Sequence, residues 1–366
     1  MHVLITSDTV GGVWTYTREL VAGLASRGHK ITLVSFGKLP SPDQTLWLRS
    51  LATVDYRPTE YRLEWMEVAE RDIEESRRYL DLLVREIQPD VLHFSQYCYG
   101  DIDADVPRIV VAHSDIVSWW VGVHNCEPDN APWMRRYRER VTNGLRGADL
   151  VVAPSQWMLD AVARHYLPLE RAAVIYNGRS PELFAPDQRK TDFALSVGRI
   201  WDEGKYASLL LQAAQPLETK IVGWTREPGQ EAKDLPACPP NVEFLGPRSQ
   251  DELRSLYAQA SIYVATSRYE PFGLSPLEAA FSSCALVMND IPVFHELWGD
   301  AATYFRKGDP AELSRALIEL RGDPELRDQL ASKAFLRACQ RFTAARMVAE
   351  YESAYHQVAA RTEKVG

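Results

Sequence analysis

Two carboxylates, Glu270 and Glu278, flank the short segment Pro271–Leu277, which is PFGLSPL in one-letter code. An ionised carboxylate only accepts hydrogen bonds, so two of them beside one turn suit a ligand that carries several hydroxyl groups. Neither carboxylate is suited to bind a phosphate, because both groups are negatively charged. The spacing therefore indicates recognition of the hydroxyls of a sugar or a ribose.

The residues around this segment predict a strand, a turn and the start of a helix. The apolar run Ala260–Ala265 is typical of a buried strand, and Gly273 suits a tight turn. Ser275 is a favourable helix N-cap, and Pro276 is favoured at the first helical position. A helix start directs free backbone N–H groups and the positive end of the helix dipole outward, and this suits a diphosphate.

A purely structural interpretation of the same spacing stays open. Glu278 lies three residues after Ser275, so the two would form a capping box at the helix start. Glu270 would then be a solvated acid in a loop. The spacing alone does not choose between these interpretations.

Two cations, Arg199 and Lys205, follow the predicted strand Phe193–Val197. Open α/β sheets bind ligands at the carboxyl ends of their strands. Two positive charges at such a place would stabilise a departing diphosphate. The alternative is that both are ordinary surface cations.

Two further positions lie at predicted strand ends. Gly11 and Gly12 follow the predicted strand Val3–Thr6, but the loop lacks the G-x-G-x-x-G pattern of a dinucleotide site. The alternative for these glycines is a plain connecting turn. His113 follows the predicted strand Ile109–Ala112, where it would touch a bound substrate or serve a structural role.

The segment 119–133 is predicted to be a loop, and it contains Trp119 and Trp120. Sugars and planar acceptors stack on aromatic faces, so these residues would form one wall of an acceptor pocket, or else pack the loop. The predicted helix that follows would face an anionic acceptor or a membrane surface, or be a solvated face. Its arginines are Arg135, Arg136, Arg138, Arg140 and Arg146.

Composition indicates a globular protein of two domains. The chain has 366 residues, of which 46% are hydrophobic and 25% charged, and a net charge of −9 argues against general nucleic-acid binding. Its five cysteines are scattered without a C-x-x-C pair, so neither a disulfide framework nor a zinc ribbon is expected. The N-terminus lacks the charged region of a signal peptide, and no apolar run approaches the roughly 20 residues of a membrane span. We therefore expect a cytoplasmic protein.

Strand and helix patterns alternate along the chain, which predicts α/β domains with parallel sheets. A long helix is predicted over about 61–87, and three helices close the chain at about 310–320, 324–341 and 344–359. The segment 179–186 has no periodicity and is interpreted as a linker. It separates a first domain, 1–178, from a second, 179–343.

The string EPFGLSPLEAA at 270–280 resembles the E-x7-E signature of the retaining nucleotide-sugar glycosyltransferases of family four. The G-G-V at 11–13 and the I-x-N-G at 175–178 are similar to further motifs of that family. The resemblance implies the GT-B fold, an α/β architecture of two facing, doubly wound, Rossmann-like domains. The first domain would then bind the acceptor, the second would bind the nucleotide sugar, and the final segment, 344–366, would cross back to the first domain.

The resemblance also implies roles for the candidate residues. His113 and Glu270 would contact the donor sugar, Glu278 the ribose, and Arg199 and Lys205 the leaving diphosphate. The family has G-R followed by E-K-G, whereas this chain has D-E-G-K at 202–205, so the lysine is shifted. The remaining donor-binding positions would be Gly11, Gly12, Gly246, Phe272, Gly273, Leu274 and Ser275.

The implied activity is transfer of a hexosyl unit to a hydroxyl-bearing acceptor, with retention and an α-linkage. UDP-glucose is the first expectation for the donor and GDP-mannose the second. We expect no metal and no other cofactor, because the two cations and the helix start would take the place of a metal beside the diphosphate. A peripheral membrane contact stays open. The alternatives are a sugar-nucleotide epimerase or hydrolase of the same fold, or a sugar-nucleotide-binding protein without catalysis.

Overall fold

The computed structural model describes residues 1–9, 11–66, 68–184, 189–213, 216–226 and 238–362. The chain divides into two compact units. The first unit comprises 1–121, 126–178 and 344–366, and the second comprises 122–125 and 179–343.

A parallel sheet of seven strands forms the centre of the first unit. The strands are β1 (His2–Asp8), β2 (Lys30–Phe36), β3 (Val54–Pro58), β4 (Val91–Phe94), β5 (Arg108–Val111), β6 (Leu150–Ala153) and β7 (Ala172–Val174). Their order is β3-β2-β1-β4-β5-β6-β7, so β1 pairs with both β2 and β4. The strand order reverses between β1 and β4, and ligands bind at such a point in doubly wound folds.

Helices cover both faces of this sheet, as parallel sheets require. The helices of the first unit are α1 (Gly12–Ser26), α2 (Pro42–Thr45), α3 (Glu70–Ile87), α4 (Ile116–His124, of which 122–124 belong to the second unit), α5 (Pro132–Gly147) and α6 (Gln156–His165), together with Ala344–Thr362 at the end of the chain. Side chains alternate along β1: Val3 and Ile5 pack with α1 and the C-terminal helix, and Leu4 packs with α3, α5 and α6.

A second parallel sheet, of six strands, forms the centre of the second unit. The strands are β8 (Thr191–Val197), β9 (Glu218–Val222), β10 (Val242–Gly246), β11 (Ala260–Ala265), β12 (Ala285–Asn289) and β13 (Thr303–Phe305). Their order is β10-β9-β8-β11-β12-β13, so the order reverses between β8 and β11. The helices are α7 (Ser208–Gln212), α8 (Gln250–Gln259), α9 (Leu274–Phe281), α10 (Pro292–Trp298), α11 (Pro310–Gly322) and α12 (Pro324–Arg341).

The last helix, α13 (Ala344–Thr362), packs within the first unit and so confirms the predicted return of the chain. It lies against α1 at Gly23, where any side chain would overlap Val348. Its tyrosines, Tyr351 and Tyr355, are buried in the core that α1 shares. The prediction of α/β domains with parallel sheets is confirmed in both units.

The predicted helix over 61–87 was wrong in its first third. Helix α3 begins at Glu70, and the segment before it instead binds the backbone of another part of the chain. The carboxylate of Glu64 is buried and accepts hydrogen bonds from the backbone N–H groups of Tyr97 and Cys98, at 2.9 and 2.7 Å. Burial raises the pKa of this carboxyl. A periodic apolar pattern cannot reveal such a contact, because its partners lie more than thirty residues away.

The predicted loop over 119–133 was wrong at its two ends, which belong to α4 and α5, and right for residues 125–131 between them. Asp115 Oδ1 accepts a hydrogen bond from the backbone N–H of Ser118 at 2.8 Å, as a helix cap does. Pro132 is at the first position of α5. Both are local signals for the start of a helix. The sequence interpretation missed them because it relied on the tryptophan-rich composition of the segment.

Candidate active site

The loops that follow β8 and β11 bring Lys205 and Glu270 together. Lys205 Nζ lies 2.5 Å from Glu270 Oε2, and Ser267 Oγ donates to the same oxygen at 3.3 Å. The two loops are also joined through the backbone, where Arg268 N–H donates to Gly204 O at 2.8 Å. Because β8 and β11 are neighbours at the reversal of strand order, this charged pair lies where such sheets bind ligands.

Arg199 belongs to the same loop and has an acidic partner of its own. Its Nη2 lies 2.7 Å from Asp202 Oδ2, and Asp202 Oδ1 accepts from the backbone N–H of Gly204 at 2.8 Å. Asp202 is buried, so it orders the loop, whereas the Arg199 side chain is 41% exposed. The guanidinium lies 5.4 Å from the centre of the Trp201 ring. Arg199 is thus more accessible to solvent than the lysine.

Helix α9 begins two residues earlier than expected. Its N-cap is Gly273, at φ +93°, with no side-chain hydrogen bond to the first turn. Ser275 therefore lies inside the helix, and neither the predicted serine cap nor the alternative capping box with Glu278 is present. A side chain at 273 would crowd Glu270 and Pro276, which explains the glycine. The backbone N–H groups of the first turn, including that of Leu274, keep the orientation that suits an anion.

Glu278, on the second turn of α9, forms an ion pair that the sequence did not predict. Arg179 Nε lies 2.9 Å from Glu278 Oε1, and the Arg179 side chain is 2% exposed. Arg179 belongs to the segment interpreted as a linker. A buried guanidinium requires an acidic partner, but a sequence does not reveal which of its acids fills that place.

In the first unit, His113 lies beside neutral groups. Its Nε2 is 3.3 Å from Ser95 Oγ, and its ring meets the Tyr16 ring edge-on with centroids 4.6 Å apart. Desolvation by these surroundings lowers the pKa of His113 to about 3. The imidazole is therefore neutral at pH 7, with one nitrogen able to donate and the other able to accept.

His93, which the sequence analysis did not place in the site, lies behind His113. Its Nδ1 is 2.8 Å from the Tyr355 hydroxyl and its Nε2 is 3.3 Å from the Tyr16 hydroxyl. Burial lowers the pKa of His93 to about 3 as well. A buried network thus connects α13, β4 and α1 to the ring that packs on His113.

The remaining predicted donor residues differ in what they can offer a ligand. Phe272 is buried and packs edge-on against Phe342 at 5.4 Å, so only its backbone is available. Gly246 ends β10 at φ +69°, and a Cβ there would meet no atom within 4 Å among the described residues. Gly11, at φ +77°, is the N-cap of α1, and Gly12 is the first residue of that helix.

The predicted acceptor residues lie on helices rather than in a loop. Trp119 and Trp120 are partly buried on α4, with ring centroids 6.3 Å apart in an edge-on arrangement. The arginines of α5 are partly neutralised: Arg136 lies 3.1 Å from Glu70, and Arg138 lies 2.5 Å from Glu127. This weakens the hypothesis that α5 offers a strongly cationic surface.

Neither a metal-binding cluster nor a membrane-spanning helix occurs among the described residues. Within those ranges, no three His, Cys, Asp or Glu side chains are grouped so that they could hold a metal ion. No helix in the same ranges is long and apolar enough to cross a membrane.

Comparison with protein families assigns the chain to a class. The family model described as Glycosyltransferase Family 4 matches residues 10–183. The model described as Glycosyl transferases group 1 matches residues 182–337. The chain therefore belongs to the family-four glycosyltransferases.

Curated relatives are similar over parts of their length. The O-antigen chain mannosyltransferase RfbU of Salmonella typhimurium is 28% identical over 194 residues, which are 48% of this chain and 52% of that protein. The chain thus spans about half of this relative. The alpha-maltose-1-phosphate synthase of Mycolicibacterium smegmatis is 23% identical over 73% of this chain and 76% of its own.

Solved structures share the fold at low sequence identity. A sucrose-phosphate synthase from Thermosynechococcus elongatus superimposes with a TM-score of 0.78 and 16% identity, covering 99% of this chain and 100% of the other. HepE from Anabaena, solved in complex with UDP-glucose, gives a TM-score of 0.73 and 17% identity over 100% of both chains. These likenesses, with the two parallel sheets, confirm the predicted GT-B fold.

Proposed function

We propose that this protein is a retaining glycosyltransferase that moves a hexosyl unit from a nucleoside-diphosphate sugar to a hydroxyl group of an acceptor. The observation that carries the proposal is the pairing of Lys205 with Glu270 at the carboxyl ends of β8 and β11. A cation and a carboxylate side by side are complementary to a diphosphate joined to a sugar, which presents negative charge next to hydroxyl groups.

The Lys205–Glu270 pair is complete without a ligand. A donor would have to exchange partners, so that Lys205 binds a phosphate oxygen and Glu270 accepts from sugar hydroxyls. The N–H groups at the start of α9 would add further donors to the phosphates. Because the loops are already joined through Arg268 and Gly204, this exchange needs only side-chain movement.

The proposed reaction breaks one bond and forms one bond at the anomeric carbon of the donor sugar. The bond from the anomeric carbon to the phosphate oxygen breaks, and a bond from that carbon to the acceptor oxygen forms on the same face. The acceptor hydroxyl gives its proton to the departing phosphate. Lys205 and Arg199 stabilise the charge that builds on this phosphate in the transition state. Neutral His113 exchanges hydrogen bonds with the sugar without adding a charge near the reacting carbon.

The donor is proposed from two kinds of relative. RfbU of Salmonella typhimurium and LpcC of Rhizobium leguminosarum, the latter 36% identical over 87 residues, are mannosyltransferases. HepE was solved in complex with UDP-glucose, but at 17% identity its similarity to this chain supports the fold alone. We therefore place GDP-mannose beside UDP-glucose as the donors to test first.

The test is incubation with a panel of nucleotide sugars, in which nucleoside diphosphate release is measured with and without hydroxyl acceptors. Slow hydrolysis of one donor, accelerated by an acceptor, is the expected result. Proton NMR of the first product should show an α-linkage. A β-linked product would overturn retention, and conversion of the sugar without release of the diphosphate would favour an epimerase.

A further inference from the structure

Arg179 is buried at the place where the chain enters the second unit. The boundary between the units falls at 178/179 and again at 343/344. Arg179 forms a parallel bridge with Thr343, and its backbone N–H donates to Phe342 O at 3.1 Å. Both passages of the chain therefore lie side by side within the second unit.

The same segments pack against α9 and the turn before it. The Arg179 guanidinium lies 5.6 Å from the Phe184 ring, which stacks on Phe281 of α9 at 5.9 Å. Phe342 in turn contacts Phe272, which precedes α9. Arg179 is thus held on several sides, and its Nε lies within ion-pair distance of Glu278.

A fixed arginine determines what Glu278 can do. It keeps one carboxylate oxygen, Oε1, at 2.9 Å and compensates the charge of a side chain that is only 14% exposed. A carboxylate offers about four lone-pair sites, which is more than one ion pair uses. The two adjacent hydroxyls of a ribose can both donate to one carboxylate only when that carboxylate has a particular orientation. Arg179 restricts the orientation of the Glu278 carboxylate.

We propose that Arg179 is a positioning residue for ribose recognition: it holds the Glu278 carboxylate in the orientation that accepts both ribose hydroxyls of the donor. This inference rests on the proposed function, because it requires that Glu278 bind a nucleotide. The competing explanation is that Arg179 only anchors the chain to α9. In that case its loss lowers stability and affects all ligands alike.

The experiment compares nucleotides with and without the hydroxyls. Dissociation constants are measured by calorimetry for UDP, GDP and their 2′,3′-dideoxy forms, together with the melting temperature of each variant. In the wild type, we expect the dideoxy form to bind about tenfold more weakly, as loss of hydrogen bonds to a charged group implies. We expect Glu278→Gln and Arg179→Gln each to reduce this ratio to near one, and Arg179→Lys to restore part of it.

A double variant and a control separate the two explanations. If Arg179 acts through Glu278, Arg179→Gln in a Glu278→Gln background changes the ratio no further. Arg346→Gln is the control, because Arg346 is a partly buried arginine near the same boundary that binds Tyr176 O and Glu350 in the first unit. It should lower the melting temperature and leave the ratio unchanged.

The outcomes are distinguishable. A wild-type ratio that Glu278→Gln reduces but Arg179→Gln leaves intact overturns the role of Arg179 alone. A wild type that binds neither diphosphate, or a ratio that Glu278→Gln does not affect, overturns the proposed donor site and the inference with it. Arg179→Lys provides the same comparison if Arg179→Gln does not fold.

Discussion

The candidate groups of the two units differ in charge. In the second unit, three ion pairs occupy the predicted donor site: Lys205 with Glu270, Arg199 with Asp202, and Arg179 with Glu278. In the first unit, His113 and His93 are neutral and lie among tyrosine rings and hydroxyls. One region can therefore compensate a developing charge, and the other can only exchange neutral hydrogen bonds.

This difference is physically useful for the proposed reaction. Negative charge builds on the phosphate when the glycosidic bond breaks, so cations are needed there and are effective in a partly desolvated site. At the sugar, an additional positive charge would oppose the oxocarbenium-like transition state. If His113 contacts the sugar as proposed, the desolvation that keeps its imidazole neutral avoids that repulsion.

The largest effect is expected for Lys205→Ala. Losing one electrostatic donor to a transition-state charge lowers kcat by about 10²–10³ in comparable sites. The matched control is Lys220→Ala, because Lys220 is similarly exposed, at 24% against 26%, and also has an acidic partner. Steady-state kinetics at saturating donor decide the question. A kcat within about twofold of the wild type would remove Lys205 from the site.

A smaller effect is expected for Arg199→Ala. The side chain is 41% exposed, and solvent screens its charge more strongly, so kcat should fall by about ten- to a hundredfold. Arg199→Lys should recover only part of this loss, since a point charge does not reproduce the planar fork on phosphate. The double variant with Lys205→Ala should lose less than the product of the two factors.

Arg254→Ala is the control for Arg199, because Arg254 also pairs with an aspartate three positions away, Asp251, at 3.0 Å. Its kcat should equal that of the wild type. Equal losses in both variants would show that the effect is a general one of charge, unrelated to the site.

The buried, neutral His93 of the first unit should affect how the stability of the protein depends on pH. Unfolded histidine has a pKa of about 6.5, whereas the pKa of folded His93 is lowered to about 3. Below pH 6.5 the unfolded state takes up a proton that the folded state does not. The free energy of unfolding should therefore fall as the pH drops, by at most about 1.4 kcal/mol per pH unit for this residue.

Glutamine at position 93 keeps a donor and an acceptor for the two tyrosine hydroxyls but does not titrate. Urea unfolding of His93→Gln between pH 7 and pH 4.5 should thus give a flatter pH dependence than the wild type. Identical slopes for the two proteins would contradict a neutral, buried His93.

The smallest effect is expected for removal of metals. If the cations of the second unit and the start of α9 provide the compensation of phosphate charge, activity should be unchanged in excess chelator. An activity that chelator abolishes and that magnesium or manganese restores would show that these charges are insufficient.

Much of the fold could be predicted from local patterns. Alternating apolar strands and amphipathic helices indicated two parallel-sheet domains, and the start of α12 at Pro324 and of α13 at Ala344 agreed with the prediction. The first residue of α9 was mispredicted, because Gly273 rather than Ser275 serves as its cap.

The sequence by itself determined which residue types stand at the strand ends. Motifs such as EPFGLSPLEAA are local, so their spacing can be read directly from the order of residues. Only the tertiary structure decided which charges meet. Lys205 and Glu270 are 65 positions apart, and Tyr355 and His93 are 262 apart. A buried charge or hydroxyl requires an ionic or hydrogen-bonding partner, but many residues of a suitable type occur along the chain. The pairing is selected by sheet order and helix packing, which place one candidate within reach and exclude the others.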